Sequence, residues 1–276
     1  MSQIIFFRTS LFFYFLGCLL FLLNLWDKKG GTPPAETSQK SATLPVSQRI
    51  AFVVTGVGFL CHTIALGLQL QSGVPFSSLK EAISFFSWAI VLIFFWVELK
   101  YQVYVMGSLI LPMAFLSLIS AATLPIDTHP VDPALKGTLL GVHTTLSVLG
   151  IVAFAIAAVS GMMYLVQERF LKSKQFGPLY YKLPSLDLLD QWNKTALFCG
   201  IPLLTLGIIS GALWSQYARG FFWSSNSPKQ LLSLSAWFFY LIVLQGRLTF
   251  GFRARRGALL SIIGFVGIIF IFTTLA

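Results

Sequence analysis

Residues 138–165, TLLGVHTTLSVLGIVAFAIAAVSGMMYL, run without a single Asp, Glu, Lys or Arg. About 20 predominantly apolar residues suffice for a helix to cross the hydrocarbon core of a bilayer, so this stretch reads as a membrane span. Seven more runs of the same character flank it, near 4–26, 50–70, 83–99 and 103–125 before it and 195–216, 231–250 and 257–275 after it. The expected fold is an all-α polytopic membrane helix bundle of about eight transmembrane helices, a single integral membrane domain over 1–276. Composition points the same way: 56% of the 276 residues are hydrophobic, 10% are charged, and Phe alone occurs 27 times. A soluble domain carries about 25% charged residues. With less than half that share a water-facing surface cannot be built, which excludes a soluble enzyme. Cys18, Cys61 and Cys199 each lie inside an apolar run with no CxxC pair, so neither a disulfide framework nor a zinc site is expected.

The first run carries Arg8 but no small-residue cleavage site before Asp27-Lys28-Lys29. It reads as a retained helix rather than a signal peptide. Basic residues then orient the chain. Loops on one side hold Lys28, Lys29, Lys40, Arg49, Lys100, Arg169, Lys172, Lys174, Lys182, Lys194, Arg247, Arg253, Arg255 and Arg256, against Arg8, Lys80, Lys136, Arg219 and Lys229 on the other. The positive-inside rule puts the first set in the cytoplasm. Both termini are then expected outside, on the periplasmic face of a cell's inner (cytoplasmic) membrane. The formal charge of +10 needs no nucleic-acid partner; the lipid bilayer accounts for it. The Pro/Ser/Thr-rich segment 27–49 is expected to be a flexible cytoplasmic linker. A second cytoplasmic segment, 167–194, places Leu186, Leu188 and Leu189 after Pro184, with Ser185 as a helix cap, and predicts a short amphipathic helix. The turn near Lys100 between the third and fourth spans has to be tight.

No charged residue falls in the middle of a span; Glu98 and Arg247 are expected at cytoplasmic ends, near water. That argues against an ion-coupled pump, which needs buried ionisable relays. The polar residues left are few. His62 lies about 12 residues into the second span, roughly mid-bilayer at 1.5 Å per residue, and Gln245 lies in the inner third of the seventh. Such residues commonly bond to a neighbouring helix, a reading preferred for Gln245 and balanced against ligand binding for His62. His129, beside Pro130, reads as a loop residue. His143 stands close to the outer end of the fifth span, where a neutral imidazole is able to ligate haem iron. The outer loop 216–229, QYARGFFWSSNSPK, is preceded by Trp214 and followed by Trp237. Its rings form either an interfacial aromatic belt or a flat platform for a planar hydrophobic ligand, and composition does not separate the two.

Three stretches carry a resemblance: HTTLSVLGIVAFAIAAVSGMMYLVQERFLK (143–172), KLPSLDLLDQWNKTALFCGIPLLTLGIISGALW (182–214) and GRLTFGFRARRGALLSIIGFVGIIF (246–270). In this order the chain resembles the cytochrome c assembly family, the haem-handling membrane proteins of the CcsA/CcmC type, and among them the small eight-helix HemX-like members. The likeness is fullest over roughly 138–270 and weaker from residue 50, through CHTIALGLQ around His62. In that family the outer loop carries a tryptophan-rich pattern, W-G-x-x-W-x-W-D-P-K-E, as a haem platform flanked by external histidines. Here Gly220 and Trp223 match, and Pro228 and Lys229 match with one insertion. Arg219 and Ser225 stand at tryptophan positions, Asn226 or Ser227 at the aspartate and Gln230 at the acid, so the loop is a degenerate version. His143 corresponds to the external histidine before the loop. Gln245 occupies the span where synthase members place a membrane histidine, and their second external histidine lies beyond a span that ends here at Ala276.

The resemblance implies haem b as cofactor, with His143, Trp223, Trp214, Trp237 and His62 as binding residues, and no metal beyond the haem iron at His143. It implies a non-catalytic accessory of cytochrome c biogenesis that works with a partner subunit supplying a second axial ligand. The alternative is a HemX-like scaffold that regulates a haem-biosynthesis enzyme through 167–194, with Lys172, Lys174 and Lys182 at the contact and no haem ligand at all.

Overall fold

In hydrocarbon a backbone has no water to satisfy its N–H and C=O groups, and only a helix or a closed barrel pairs them all internally. The computed structural model describes residues 2–26, 46–71, 78–124, 138–174, 176–222, 228–249, 251 and 253–274, and all regular structure among them is helical. They form α1 (Ser2–Trp26), α2 (Val46–Gln71), α3 (Leu79–Tyr101), α4 (Tyr104–Thr123), α5 (Thr138–Ser173), α6 (Pro178–Lys182), α7 (Leu186–Arg219), α8 (Pro228–Leu248) and α9 (Ala254–Thr274). Eight of these, all but α6, are long and apolar enough to cross a membrane. The expected all-α bundle of about eight spans is therefore what the chain forms. Most of the linker expected over 27–49 lies outside the described residues; its last four begin α2.

Local chemistry sets several boundaries. Ser78 caps α3 by accepting from the Glu81 amide at 3.2 Å, in the Ser-x-x-Glu spacing of a capping box. The turn after Lys100 is as tight as the spacing demands: Gln102 takes φ 53°, its amide donates to the Glu98 carbonyl, and α4 begins at Tyr104. Ser185 caps α7 by accepting from the Leu188 amide. The helix that starts there does not stop as a short surface segment; it continues to Arg219. Likewise α5 runs past its apolar stretch to Ser173. At 1.5 Å per residue these helices of 36 and 34 residues are about 54 and 51 Å long, well beyond a hydrocarbon core of about 30 Å.

The helices alternate in direction. One end of the bundle carries His143 and the loop after Arg219; the other carries α6, Asp190 and Arg247. Helices α1 to α4 make one half. Gly17 meets Thr55, Gly58 meets Tyr14, and Gly107 lies under the Phe21 ring, which stacks edge-on against Phe94 at 5.4 Å. Helices α5, α7, α8 and α9 make the other half, with α5 at its centre against α7 and α9. The halves meet where α3 packs on α5, where Tyr101 meets Trp192 edge-on at 5.1 Å, and where Lys182 Nζ donates to the Asn24 carbonyl at 2.9 Å.

Candidate functional site

Helices α5 and α7 pack antiparallel along the most extensive seam in the molecule. Small residues allow it. A Cβ on Gly207 would lie 2.5 Å from Ser147 Oγ, and one on Gly211 would lie 2.6 Å from both Cε1 and Nδ1 of His143. The imidazole therefore rests directly on the α7 backbone. His143 Nδ1 is 2.7 Å from the Gly207 carbonyl oxygen. A carbonyl only accepts, so Nδ1 carries the hydrogen and the neutral ring keeps a lone pair on Nε2. No hydrogen-bond partner meets Nε2 among the described residues. A histidine whose other nitrogen is tied to a carbonyl, with tautomer and ring plane fixed, is the usual form of a metal-ligating imidazole. Here the tie comes from a residue 64 positions away, invisible to any local pattern.

The other candidates separate. Trp214 is three residues beyond Gly211, one turn nearer the loop on the seam side of α7, and is half-buried. Trp237 on α8 donates Nε1–H to Thr205 Oγ1 at 2.7 Å. Thr205 is two residues from Gly207, about 200° around the helix at 3.6 residues per turn, so Trp237 packs on the side of α7 away from His143. Trp223 lies outside the described residues, as does His129. His62 belongs to the other half of the bundle. It is fully buried, with Nδ1 3.3 Å from Tyr14 Oη and Nε2 3.0 Å from Ser84 Oγ, while Phe7 and Tyr14 meet its ring edge-on. Both nitrogens are engaged in tying α1, α2 and α3 together. Replacing His62 by Leu strands two buried hydroxyls, and unfolding titrations in micelles should show a loss of about 1–3 kcal/mol.

The half built from α5, α7, α8 and α9 holds, at the end opposite His143, a polar junction that sequence reasoning missed. Arg247 and Glu98, expected near water, are both buried, at 7% and 4% exposure. The guanidinium of Arg247 on α8 hydrogen-bonds Asp190 and the Asn193 side-chain oxygen on α7. Asn193 in turn donates both Nδ2 hydrogens, to the Ala157 carbonyl of α5 at 2.6 Å and to Ser261 Oγ of α9 at 3.0 Å. Gly257 makes room for the guanidinium, since a Cβ there would lie 2.6 Å from Cζ. Nearby, Tyr240 stacks flat on Phe154 at 3.8 Å and donates to the Ser261 carbonyl at 3.2 Å. Four helices are thus joined by one cluster, fed by the LPSLDLLDQWN and GRLTFGFRARRG stretches. Asp190 also binds Lys194 at 2.7 Å.

Comparison with known proteins gives a consistent family. The profile described as "Cytochrome C assembly protein" matches residues 76–275. Similar relatives are named "Cytochrome c biogenesis protein CcsA". The one from Guillardia theta is 31% identical over 238 residues, covering 79% of this chain and 79% of the relative. Those from Mesostigma viride and Porphyra purpurea are 28% and 26% identical, covering 78% and 75% of this chain and 79% of each relative.

Proposed function

Because the chain belongs to the cytochrome c assembly protein family, we propose that it is a membrane haem-handling accessory of cytochrome c biogenesis, in which His143 is the one residue of the chain that would hold the haem iron. The relatives' printed names supply the process. The observation that carries the ligand is the bond from His143 Nδ1–H to the Gly207 carbonyl at 2.7 Å, which leaves Nε2 as a preformed donor. A neutral imidazole nitrogen is a donor that fits haem iron.

Haem b, when bound, supplies the iron centre and a planar apolar ring. The chain's own residues orient and hold it: Gly207 fixes the His143 tautomer, Gly211 seats the ring, and Trp214, one turn beyond Gly211, offers a stacking surface. Trp237, tied to Thr205, braces α8 against α7. A partner subunit of the assembly machinery would supply a further ligand to the iron. The chain is a HemX-like member, with Arg219 and Ser225 at positions where the family's loop is aromatic, and it forms no covalent bond itself. The distribution of basic residues supports a cytoplasmic-membrane location with His143 and both termini outside. The test is an absorption spectrum of protein purified after expression with ample haem. A Soret band in the parent that is lost in His143→Ala, at unchanged helicity, is the expected result. A band of equal strength in the variant, or none in the parent, removes the proposal.

A further inference from the structure

The Arg247 end carries more positive charge than its pairing consumes. Glu168 on α5 binds Lys172 Nζ at 2.7 Å and Arg255 Nε at 3.4 Å. One carboxylate thus joins α5 to the start of α9 and gathers cations from both helices. Around it stand Arg169, Lys174, Arg253 and Arg256, all exposed and with no ion pair among the described residues. Lys172 and Arg255 are themselves 63% and 60% exposed. These charges repel one another and the positive end of the α9 dipole, so an external anion relieves the cluster.

What lies beside the cluster identifies the anion. From Arg255 the four-residue step along α9 leads to Leu259 and Ile263, and Val266 follows on the same stripe; these are 41%, 58% and 58% exposed. Val166 on α5 is 40% exposed just ahead of Arg169. The charges therefore stand where these two helices leave the hydrocarbon, at the depth of lipid headgroups, directly above an aliphatic stripe that faces acyl chains. A cationic head position continuous with an exposed aliphatic stripe matches an amphiphile lengthwise. We propose that the α5–α9 face is a selective site for an anionic phospholipid, its headgroup held by Arg253, Arg255, Arg256 and Arg169 and its acyl chain laid along Leu259, Ile263 and Val266. An acidic peptide satisfies the charges but leaves the stripe unused.

The experiment uses the full chain in detergent, titrated with phosphatidylglycerol or phosphatidylcholine and read by native mass spectrometry. Each surface cation contributes about fivefold in affinity for an anionic headgroup, so phosphatidylglycerol should be retained at least about tenfold more tightly. The triple variant Arg253→Gln, Arg255→Gln, Arg256→Gln should lose that preference, and Arg8→Gln with Lys80→Gln, at the other end, should keep it. Equal retention of the two lipids, or a preference that survives the triple variant, overturns the site. Should the triple variant fail to fold, the unmodified chain decides: the preference is expected to fall as salt is raised, because exposed charges are screened, and a salt-independent preference overturns it. Displacement of the lipid by polyglutamate at equal charge would also overturn it, in favour of a protein partner.

Discussion

Asp190→Leu is expected to lower the unfolding free energy by about 3–5 kcal/mol, the range found when one partner of a buried ion pair is removed. The Arg247 side chain is 1% exposed, and without Asp190 its guanidinium keeps only the Asn193 oxygen. The buried cation then has neither water nor a carboxylate. Arg247→Met should cost less, because Asp190 is 18% exposed and retains Lys194. The double variant Asp190→Leu, Arg247→Met should recover much of the loss, since an apolar pair of similar volume often matches or exceeds a buried ion pair in stability. Denaturant titrations of all three variants check this through the coupling energy. If the double loss is simply the sum of the single losses, the junction is not the unit described.

Gly211→Val should cost haem affinity without breaking the bundle. The first added carbon lies 2.6 Å from Cε1 and Nδ1 of His143, closer than any real contact, and two further methyls follow. The ring must tilt off α7 and lose its bond to Gly207. Groups that orient a metal ligand typically contribute about 10–100-fold in affinity, and that is the expected weakening in a haem titration. Gly211→Ala forces a smaller shift of the same ring and should fall between the two. Unchanged affinity in the valine variant would mean that the tautomer set by Gly207 has no bearing on binding.

The bundle was legible in the sequence because the bilayer imposes one plain signal, length of apolar run, and the count of eight spans follows from it. The Ser185 cap was legible as local chemistry, and the tight turn near Lys100 from the spacing of the two spans it joins. The ends of α5 and α7 were not. Hydropathy stops near Leu165 and starts near Thr195, whereas the helices continue through polar residues of good propensity, helped by the Glu168–Lys172 pair. Nor was the Arg247 junction readable. Asp190 has no distinguishing mark within the segment 167–194, Arg247 reads as a cation at a cytoplasmic end, and nothing local says that residues 57 apart in sequence share a buried bond. His143 was legible as a candidate from its place near a span end. Its fixed tautomer depends on the α5–α7 register and could be seen only in three dimensions. His62 shows the reverse: a membrane histidine looks available in sequence, and the fold gives both its nitrogens to hydroxyls.

His143 Nε2, with its tautomer fixed by the Gly207 carbonyl, stands ready as a ligand. The most direct test titrates haem into purified parent and His143→Gly protein, the latter with and without added imidazole. The parent should give a saturable Soret shift at one haem per chain. The glycine variant should give none, and free imidazole, entering the vacated volume, should restore the spectrum. A glycine variant that binds haem as the parent does, or a parent that binds none, would contradict the account.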